Sequence, residues 1–333
     1  MPPYIVFGAG GIGSTPKSFT YTWDTAEKVN ELLDALKDMG ISELDCAAGY
    51  PPTNPRHAET LLGESQAAKK GFIIDTKVLP HKDRKEGGSG KTLDAANAVP
   101  SLDRSLELMD VDKVRTLYAH FHDKNTPIAE QAETFHNLYK SGKVEQIGLC
   151  NYLFKDLEEY FRVCEEKGFT KPAIYQGNYN VLTRNPEQQL IPLLRKHNCV
   201  FYAYSPLAGG FLTGKVTFTS DADKELHRTR WNGESAMTPY VIAYDRPKMH
   251  DAIRNIDAIC KAADPPVSIQ DACLRWLMHH SALQEGDAVI LGAKRIDQLQ
   301  SNVDGIRGGP LSDDIVKVLD AAFASVDDPD MLF

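Results

Sequence analysis

Apolar runs of strand length alternate with amphipathic stretches of helix length along almost the whole chain of 333 residues. The first two runs are YIVFG and SELD, and the stretch between them, TAEKVNELLDALKDMG, spaces apolar residues three and four positions apart. Six more runs follow: FIIDTKV, VRTLYAH, VEQIGLC, AIYQGNY, VFYAYS and AVILGA. Because strands separated by helices pair in parallel through crossover connections, the alternation predicts a parallel sheet covered by helices.

Eight such strands are enough to close a barrel, although an open doubly wound sheet is the alternative. The chain has a suitable length for one barrel, and it contains no linker or low-complexity tract. We therefore predict an α/β fold, a single-domain (β/α)₈ TIM barrel over residues 1–333. Long loops are expected at 81–91 and 216–247, followed by a C-terminal tail.

Charge and cysteine content exclude several classes of protein. A net charge of −9 argues against nucleic acid or an anionic membrane as the main partner, because both require a basic surface. The six cysteines include no C-x-x-C pair, which is typical of a reduced intracellular protein. No basic leader and no apolar run of membrane-spanning length is present in the sequence, so we expect a soluble cytoplasmic protein.

The first strand is followed by GAGGIG, Gly8 to Gly13, which matches the dinucleotide-binding pattern G-x-G-x-x-G. That pattern requires a helix opening on the last glycine and an acidic residue about twenty positions later. Here Pro16 interrupts the following segment, and the first acid at a strand end is Asp45. We therefore predict a loop at the barrel mouth and not a Rossmann phosphate loop.

Three successive predicted strands end on residues with acid–base chemistry. Asp45 ends the second strand and Tyr50 follows on a turn, while Lys77 and His120 end the third and fourth strands. The ends of barrel strands converge on one face, so these side chains should meet. An ammonium should lower the pKa of a neighbouring phenol, a carboxylate should hold that ammonium, and an imidazole should orient a carbonyl. The set predicts a general acid for an oxygen that becomes an alkoxide when hydride reaches carbon.

The ordered motifs LDCAAGY, TKV, LYAH, GLCN, YQGNYN, FYAYSPLAGGFLTGK and LGAKRIDQLQSN resemble the aldo-keto reductase superfamily over nearly the whole chain. YQGNYNVLTR, FYAYSPLAGGFLTGK and LRWLMHHSALQEGDAVILG are most similar to its aflatoxin-aldehyde and succinic-semialdehyde reductase branch. The resemblance implies an NADPH-dependent aldehyde reductase whose barrel binds NADPH or NADP⁺ without a Rossmann fold. It implies that the catalytic tetrad is Asp45, Tyr50, Lys77 and His120.

The resemblance also assigns the later strand ends to the cofactor. Asn151 and Gln176 match ligands of the nicotinamide carboxamide, and Tyr204 matches the ring that stacks on the nicotinamide. Cys150 stands where the family has a serine, and a thiol is the weaker hydrogen-bond donor.

Two further segments resemble phosphate-binding parts of the family. The first resembles the loop folded over the pyrophosphate, and its members are Ser205, Pro206, Leu207, Gly209, Gly210 and Lys215. The second opens a helix after the eighth strand, where Lys294 and Arg295 suit a 2′-phosphate and favour NADPH over NADH. Gln298 and Asn302 follow, towards the adenine end.

The substrate end of the pocket differs from branch members that reduce carboxylated aldehydes. Those members resemble YRNRFW where this chain has YVIAYD at 240–245, and their tail contains arginine where this chain ends DDPDMLF. A carboxylate would be desolvated there without an arginine partner, unless one of three other arginines reaches the site: Arg228, Arg230 or Arg246. A neutral carbonyl held by His120 would be buried against aromatic rings: Trp231, Tyr240, Tyr244 and Phe333. We predict a preference for uncharged aldehydes, ketones or dicarbonyls.

Two other functions compete with that of a reductase. The motif HFHD, His120 to Asp123, could belong to a metal-dependent hydrolase, but the later strand ends offer amides and a phenol, which are poor metal ligands. No metal is therefore expected. Some superfamily members resemble redox-sensing regulatory subunits that bind NADPH and turn over slowly. The resemblance also makes a homodimer plausible.

Overall fold

The computed structural model describes residues 2–13, 22–79, 90–219, 231 and 238–326. Eight parallel strands pair in chain order, and the eighth pairs with the first to close a barrel. The strands are β1 (Tyr4–Gly8), β2 (Glu43–Asp45), β3 (Ile73–Lys77), β4 (Val114–Ala119), β5 (Val144–Cys150), β6 (Ile174–Asn178), β7 (Val200–Tyr204) and β8 (Ala288–Leu291). The predicted (β/α)₈ barrel is confirmed, and the open sheet is excluded.

The strand register brings the predicted site residues to one end of the barrel. Asp45 closes β2 beside Gly8 of β1, and Cys150 closes β5 beside Gln176 of β6. Lys77, the last residue of β3, lies in register with Tyr118 near the end of β4. Because all eight strands run the same way, their carboxyl ends form a single rim.

Helices cover the barrel on its outside. They are α1 (Ala26–Asp38), α2 (His57–Glu64), α3 (Ala95–Met109), α4 (Ile128–Lys140), α5 (Phe154–Lys167), α6 (Leu190–Lys196), α7 (Lys215–Phe218), α8 (Thr238–Tyr244), α9 (Pro247–Ala262), α10 (Ile269–His279), α11 (Ile296–Arg307) and α12 (Asp313–Val326). Side-chain caps begin several of them: Thr25 accepts from the Lys28 amide, and Ser268 accepts from the Asp271 amide.

Apolar side chains form two separate cores because neighbouring strand residues point to opposite faces of the sheet. The larger core fills the space between the strands and the helices and includes Phe7, Leu44 and Leu149. The smaller core lies inside the barrel and consists of Val6, Tyr118, Cys150, Ile174, Tyr202, Ala288 and Ile290. The barrel is therefore filled with side chains beneath its rim.

The connection from β7 to β8 is more helical than the sequence analysis expected. The segment 216–247, predicted as a loop, contains most of α7 at its start and the whole of α8 near its end. Neither α9 nor α12 was predicted, and these two helices pack against each other. Most of the predicted loop 81–91, and the tail from residue 327, lie outside the described residues.

The GAGGIG segment does not form a Rossmann loop. β1 ends at Gly8, a 3₁₀ helix covers Ala9–Gly11, and in the described part no α-helix opens at Gly13. Gly13 has φ +117°, and a Cβ there would lie 2.6 Å from Cδ of Pro51. The segment instead packs against the turn that carries Tyr50, whose ring lies 3.8 Å from a Cβ built on Gly10.

Among the helices that the structure describes, none has the length and apolar character needed to cross a membrane.

Candidate active site

Lys77 and Asp45 form a buried ion pair at the rim of the barrel. Lys77 Nζ lies 2.6 Å from Asp45 Oδ1 and donates a second hydrogen bond to the Cys46 carbonyl at 2.8 Å. Only 1% of Lys77 and 4% of Asp45 are exposed. Burial of a charge is costly unless it is paired, so the two side chains depend on each other.

The turn after β2 carries Tyr50 over this pair. The Ala48 amide donates to the Lys77 carbonyl at 3.2 Å, and the Tyr50 amide donates to the Ala47 carbonyl at 3.0 Å. The Ala58 amide then donates to the Tyr50 carbonyl at 3.2 Å, which ties the turn to α2. As a result Lys77 Nζ lies 5.2 Å from the centre of the Tyr50 ring.

His120 completes the group directly after β4. Its ring centre lies 5.6 Å from that of Tyr50, with the two planes nearly perpendicular at 82°. Within the described structure its Nδ1 is buried and has no hydrogen-bond partner. The next residue, Phe121, stacks on the imidazole with a centre-to-centre distance of 4.6 Å. The four predicted catalytic side chains therefore occupy one place.

The protonation states follow from burial and from the ammonium. Burial raises the pKa of the Tyr50 phenol, and the opposing effect of Lys77 does not cancel this rise. Burial disfavours the charge of Lys77, but Asp45 and Tyr50 outweigh it and raise the pKa of Lys77. Burial, with help from Lys77, lowers the pKa of His120 well below its usual value. The expectation of a lowered Tyr50 pKa was wrong in its net direction, because burial dominates.

This arrangement can donate a proton but cannot readily accept one. Tyr50 keeps its phenolic proton at neutral pH, Lys77 stays charged beside it, and His120 is a neutral imidazole that can donate one hydrogen bond. An oxygen that gains negative charge next to Tyr50 and His120 would meet both donors.

The predicted carboxamide ligands lie beside the ion pair and contact each other. Gln176 Nε2 donates to Asp45 Oδ1 at 2.5 Å, and the Cys150 thiol lies 3.6 Å from Gln176 Oε1. Asn151 has φ +58° and donates through Nδ2 to the His120 carbonyl at 3.0 Å. Tyr204 donates from its hydroxyl to Asn151 Oδ1 at 2.8 Å. These residues form a continuous wall from β5 to β7.

The segment after β7 turns sharply through left-handed backbone. Ser205, Ala208, Gly209 and Gly210 all have positive φ, between +49° and +100°. Such backbone favours glycine and allows a ligand to approach the main chain closely. Pro206 is buried, Leu207 is partly buried, and Lys215 is exposed at the first position of α7.

The second predicted phosphate site lies at the start of α11. Arg295 is the N-cap residue, and its exposed guanidinium pairs with Asp297 at 2.8 Å. The Lys294 amide donates to Gln298 Oε1 at 3.2 Å. Asn302 is buried and accepts from Gln270 of α10, so it joins two helices and presents no open face to an adenine.

Among the aromatic residues predicted to line the substrate pocket, Tyr244 is buried in the described structure. Tyr244 is fully buried, and its hydroxyl contacts Asn178, Asn180 and Thr183. Tyr244 is therefore a packing residue, and its predicted substrate role was wrong.

Trp231 and Tyr240 lie on the segment that follows β7. Trp231 donates to the Gly209 carbonyl at 3.0 Å, and the Tyr240 hydroxyl lies 2.6 Å from Ser205 Oγ. Both residues therefore contact the predicted cofactor loop. Arg246 donates to the Ala243 carbonyl. Phe333, Arg228 and Arg230 lie outside the described residues.

A cavity of about 650 Å³ opens next to His120 on the side of β3 and β4. Its lining includes Val78, Leu93, His120, Phe121, His122 and Lys124. Phe121 stacks on the candidate catalytic ring of His120 and is 53% exposed, so it offers an apolar face to the cavity. Phe121 was not predicted as a site residue, because the HFHD motif was interpreted through its polar side chains, His120 as a catalytic residue and the motif as a possible metal site.

The two histidines of HFHD face different partners. His122 Nδ1 lies 3.2 Å from Asp156 of α5, while His120 faces Tyr50. In the part of the chain that the structure describes, no three His, Cys, Asp or Glu side chains are arranged to hold a metal ion. The hydrolase alternative therefore gains no support.

The chain is similar to known proteins over nearly its whole length. The sequence model of the Aldo/keto reductase family matches residues 4–324. An aldo-keto reductase of Pseudocercospora fijiensis is 33% identical over 299 residues, which cover 89% of this chain and 97% of that protein. Aflatoxin B1 aldehyde reductase member 2 of Rattus norvegicus is 32% identical over 293 residues, 87% of this chain and 78% of that protein. Aldo-keto reductase family 7 member A3 of Homo sapiens is 33% identical over 297 residues, 87% of this chain and 86% of that protein.

Proposed function

This chain belongs to the aldo/keto reductase family and is an aldehyde-reducing enzyme, and we propose that it reduces an aldehyde or ketone to the alcohol with NADPH. The observation that carries the proposal is the buried Lys77–Asp45 pair beside the phenol of Tyr50 and the neutral imidazole of His120. A protonated phenol next to a fixed cation can act as a general acid but not as a nucleophile. Carbonyl reduction by hydride needs such a proton donor.

Each residue of the tetrad has one task in this reaction. NADPH, when bound, supplies the hydride that reaches the carbonyl carbon. His120 donates a hydrogen bond to the carbonyl oxygen and holds it next to Tyr50. Tyr50 donates its proton to that oxygen as negative charge develops. Lys77, fixed by Asp45, stabilises the phenolate that remains.

The residues present suit an anionic dinucleotide of the NADPH type. Three cations lie at element starts after β7 and β8: Lys215, Lys294 and Arg295. α11 offers its N-terminal amides to a phosphate, and the glycine-containing segment after β7 offers open main chain. Asn151 and Gln176 would hold the carboxamide, and Tyr204 would lie against the nicotinamide ring.

The lining of the cavity beside His120 supports the proposal that the substrate is uncharged and has an apolar surface. Phe121, Val78 and Leu93 supply apolar lining. Among the described lining residues Lys124 is the single cation, and it is exposed. A flexible ammonium does not form the two-pronged contact that an arginine gives a carboxylate.

A screen for NADPH oxidation tests the function directly. Aromatic, aliphatic, dicarbonyl and carboxylated aldehydes are offered to the purified protein, and we expect steady NADPH-dependent turnover with at least one uncharged class. No oxidation with any of them would contradict the proposal. Binding of NADPH with only very slow turnover would point to the alternative role of a redox-sensing regulatory subunit.

The substrate preference is tested with a matched pair of aldehydes. We expect kcat/KM to be higher for an uncharged aldehyde of four carbons than for succinic semialdehyde, and Phe121→Ala to lower the value for aromatic aldehydes. Complete burial of a phenylalanine side chain stabilises by roughly 1.5 to 3 kcal/mol, and packing on one face of Phe121 gives a part of that, so the loss should be a few-fold to about tenfold. A clear preference for the acid would contradict this, and Lys124→Met would then show whether Lys124 binds the carboxylate.

A further inference from the structure

Gln176 makes a contact that a role in cofactor binding does not require. Its Nε2 donates to Asp45 Oδ1 at 2.5 Å, and the same oxygen accepts from Lys77 at 2.6 Å. Gln176 belongs to β6 and Asp45 to β2, which lie four strands apart in the closed order of eight. The hydrogen bond therefore crosses the barrel and joins opposite walls just beneath the rim.

The chemistry of the neighbours determines which way the amide of Gln176 faces. A carboxylate accepts hydrogen bonds and does not donate them, so the NH₂ group must face Asp45. The oxygen then faces Cys150, whose Sγ lies 3.6 Å away and donates to it. Burial raises the pKa of the Cys150 thiol, so the proton needed for this hydrogen bond is present at neutral pH.

We propose that Gln176 is a positioning residue for the Asp45–Lys77 pair and that Cys150 fixes the orientation of Gln176. The inference rests on the proposed function, because it concerns how the general acid is kept in place. It gives a role to the cysteine that stands where the family has a serine. The chain of contacts runs from Cys150 through Gln176 and Asp45 to Lys77.

Two donors on one carboxylate oxygen fix it better than one. Lys77 alone would allow Asp45 to rotate about its last bond, whereas the amide from the opposite wall limits that rotation. A hydrogen bond to an ionised group is about twice as strong as one between neutral groups. The position of Lys77 under the Tyr50 ring depends on Asp45. A displacement of Gln176 would therefore also displace Lys77 relative to Tyr50, the general acid.

Other ionisable groups also face Asp45, and the test must hold them constant. They come from three strands and the turn after β2: Cys46, Tyr50, Asp75, Lys77, Tyr118 and Cys150. A substitution at Gln176 leaves all of these side chains in place, although it removes the acceptor of the Cys150 thiol. A change in kcat of a Gln176 variant therefore reports on Asp45 and its immediate contacts.

The first test replaces Gln176 and follows kcat against pH. Gln176→Leu should lower kcat about tenfold, because a hydrogen bond to a charged group contributes roughly 1.5 kcal/mol. Without that donor Asp45 is held by Lys77 alone, so the loss should fall mainly on kcat. In Gln176→Glu the new carboxyl can donate only when protonated, so its kcat relative to Gln176→Leu should improve as the pH falls.

Asn151→Ala separates positioning from cofactor binding. Asn151 is a proposed carboxamide ligand like Gln176 but does not contact Asp45. Asn151→Ala should raise KM for NADPH and lower kcat much less than Gln176→Leu does. If Gln176→Leu shows the same pattern as Asn151→Ala, the positioning role is overturned.

Cys150→Ala tests the second half of the proposal, with Cys164→Ala as its matched control. Both changes remove a buried thiol that donates one hydrogen bond, but Cys164 donates to the Thr170 carbonyl on the outside of the barrel. We expect Cys150→Ala to lower kcat as Gln176→Leu does but by a smaller amount, and Cys164→Ala to leave kcat unchanged. Equal kcat values for the two cysteine variants would show that Cys150 does not fix Gln176.

A measurement without turnover keeps this inference separate from the proposed function. Crystal structures of Gln176→Leu and of the unchanged protein are compared at Asp45. We expect the Asp45 carboxylate to be rotated and Lys77 Nζ to be displaced relative to the Tyr50 ring in Gln176→Leu. Unchanged positions overturn the inference even if NADPH is oxidised, and absent NADPH oxidation contradicts the proposed function even if the carboxylate moves.

Discussion

At the scale of single residues, the site depends on the charge of Lys77, which is buried away from water. Lys77 lies between the rings of Tyr50 and Tyr118, with its Nζ 5.2 and 5.5 Å from their centres. Asp45 and the Cys46 carbonyl accept hydrogen bonds from two of its three N–H groups. The third donor is available for the phenol of Tyr50. Burial therefore gives the lysine a fixed direction, which an exposed lysine lacks.

His120 should make the protein less stable in acid. Its pKa is lowered in the folded state, so between that value and the ordinary value near 6.5 the unfolded chain binds a proton that the folded one does not. Stability should fall as the pH drops below about 6.5, by up to about 1.4 kcal/mol per unit. His120→Gln should lose less stability than the unchanged protein between neutral and mildly acidic pH in urea unfolding. Parallel curves would show that His120 is not held neutral.

The cations at the start of α11 should select the cofactor. Replacing Lys294 and Arg295 by alanine should weaken NADPH binding by an order of magnitude or more, since each charge-assisted contact contributes roughly 1.5 to 3 kcal/mol. NADH binding should change little, because NADH lacks the 2′-phosphate. Calorimetric titration with both cofactors measures this difference, and equal losses would show that the pair does not bind that phosphate.

At the scale of elements, the loops after β1 and β2 pack against each other. Gly10 lies against the Tyr50 ring, and Gly13 leaves room for Pro51, the residue after Tyr50. The glycines that resemble a dinucleotide-binding pattern are thus explained by close packing against the turn that carries the general acid. The sequence could exclude the Rossmann loop by the missing helix, but the partner of these glycines became visible only in the folded chain.

Gly13→Ala tests this packing, with Gly40→Ala as a control. Both glycines have positive φ, +117° and +80°, so both variants should lose about 1 kcal/mol from backbone strain. A Cβ at Gly13 would meet Pro51 at 2.6 Å, whereas nothing lies within 4 Å of one at Gly40. We expect kcat to fall markedly in Gly13→Ala alone. An equal kcat in both variants would show that the packing of the loop after β1 does not affect the position of Tyr50.

At the scale of the whole molecule, the sequence predicted the barrel and which residues would converge, because strand order and strand ends are encoded locally. The helices α9 and α12 were missed although both are amphipathic, since one helix per strand was expected. In α9 the buried residues Met249, Ile253, Ile256 and Cys260 show the helical spacing. The substrate side could not be predicted, because Tyr244, Trp231 and Tyr240 face long-range partners that no local pattern encodes.

The measurement that tests the account most directly is a comparison of Tyr50→Phe with the unchanged protein. NADPH oxidation with the best aldehyde and the Kd for NADPH are measured on the same samples. We expect a loss of roughly 10²- to 10⁴-fold in kcat, because the phenolic proton is gone, with a nearly unchanged Kd. A variant that turns over like the unchanged protein would contradict the assignment of Tyr50 as the proton donor and, with it, the proposed mechanism.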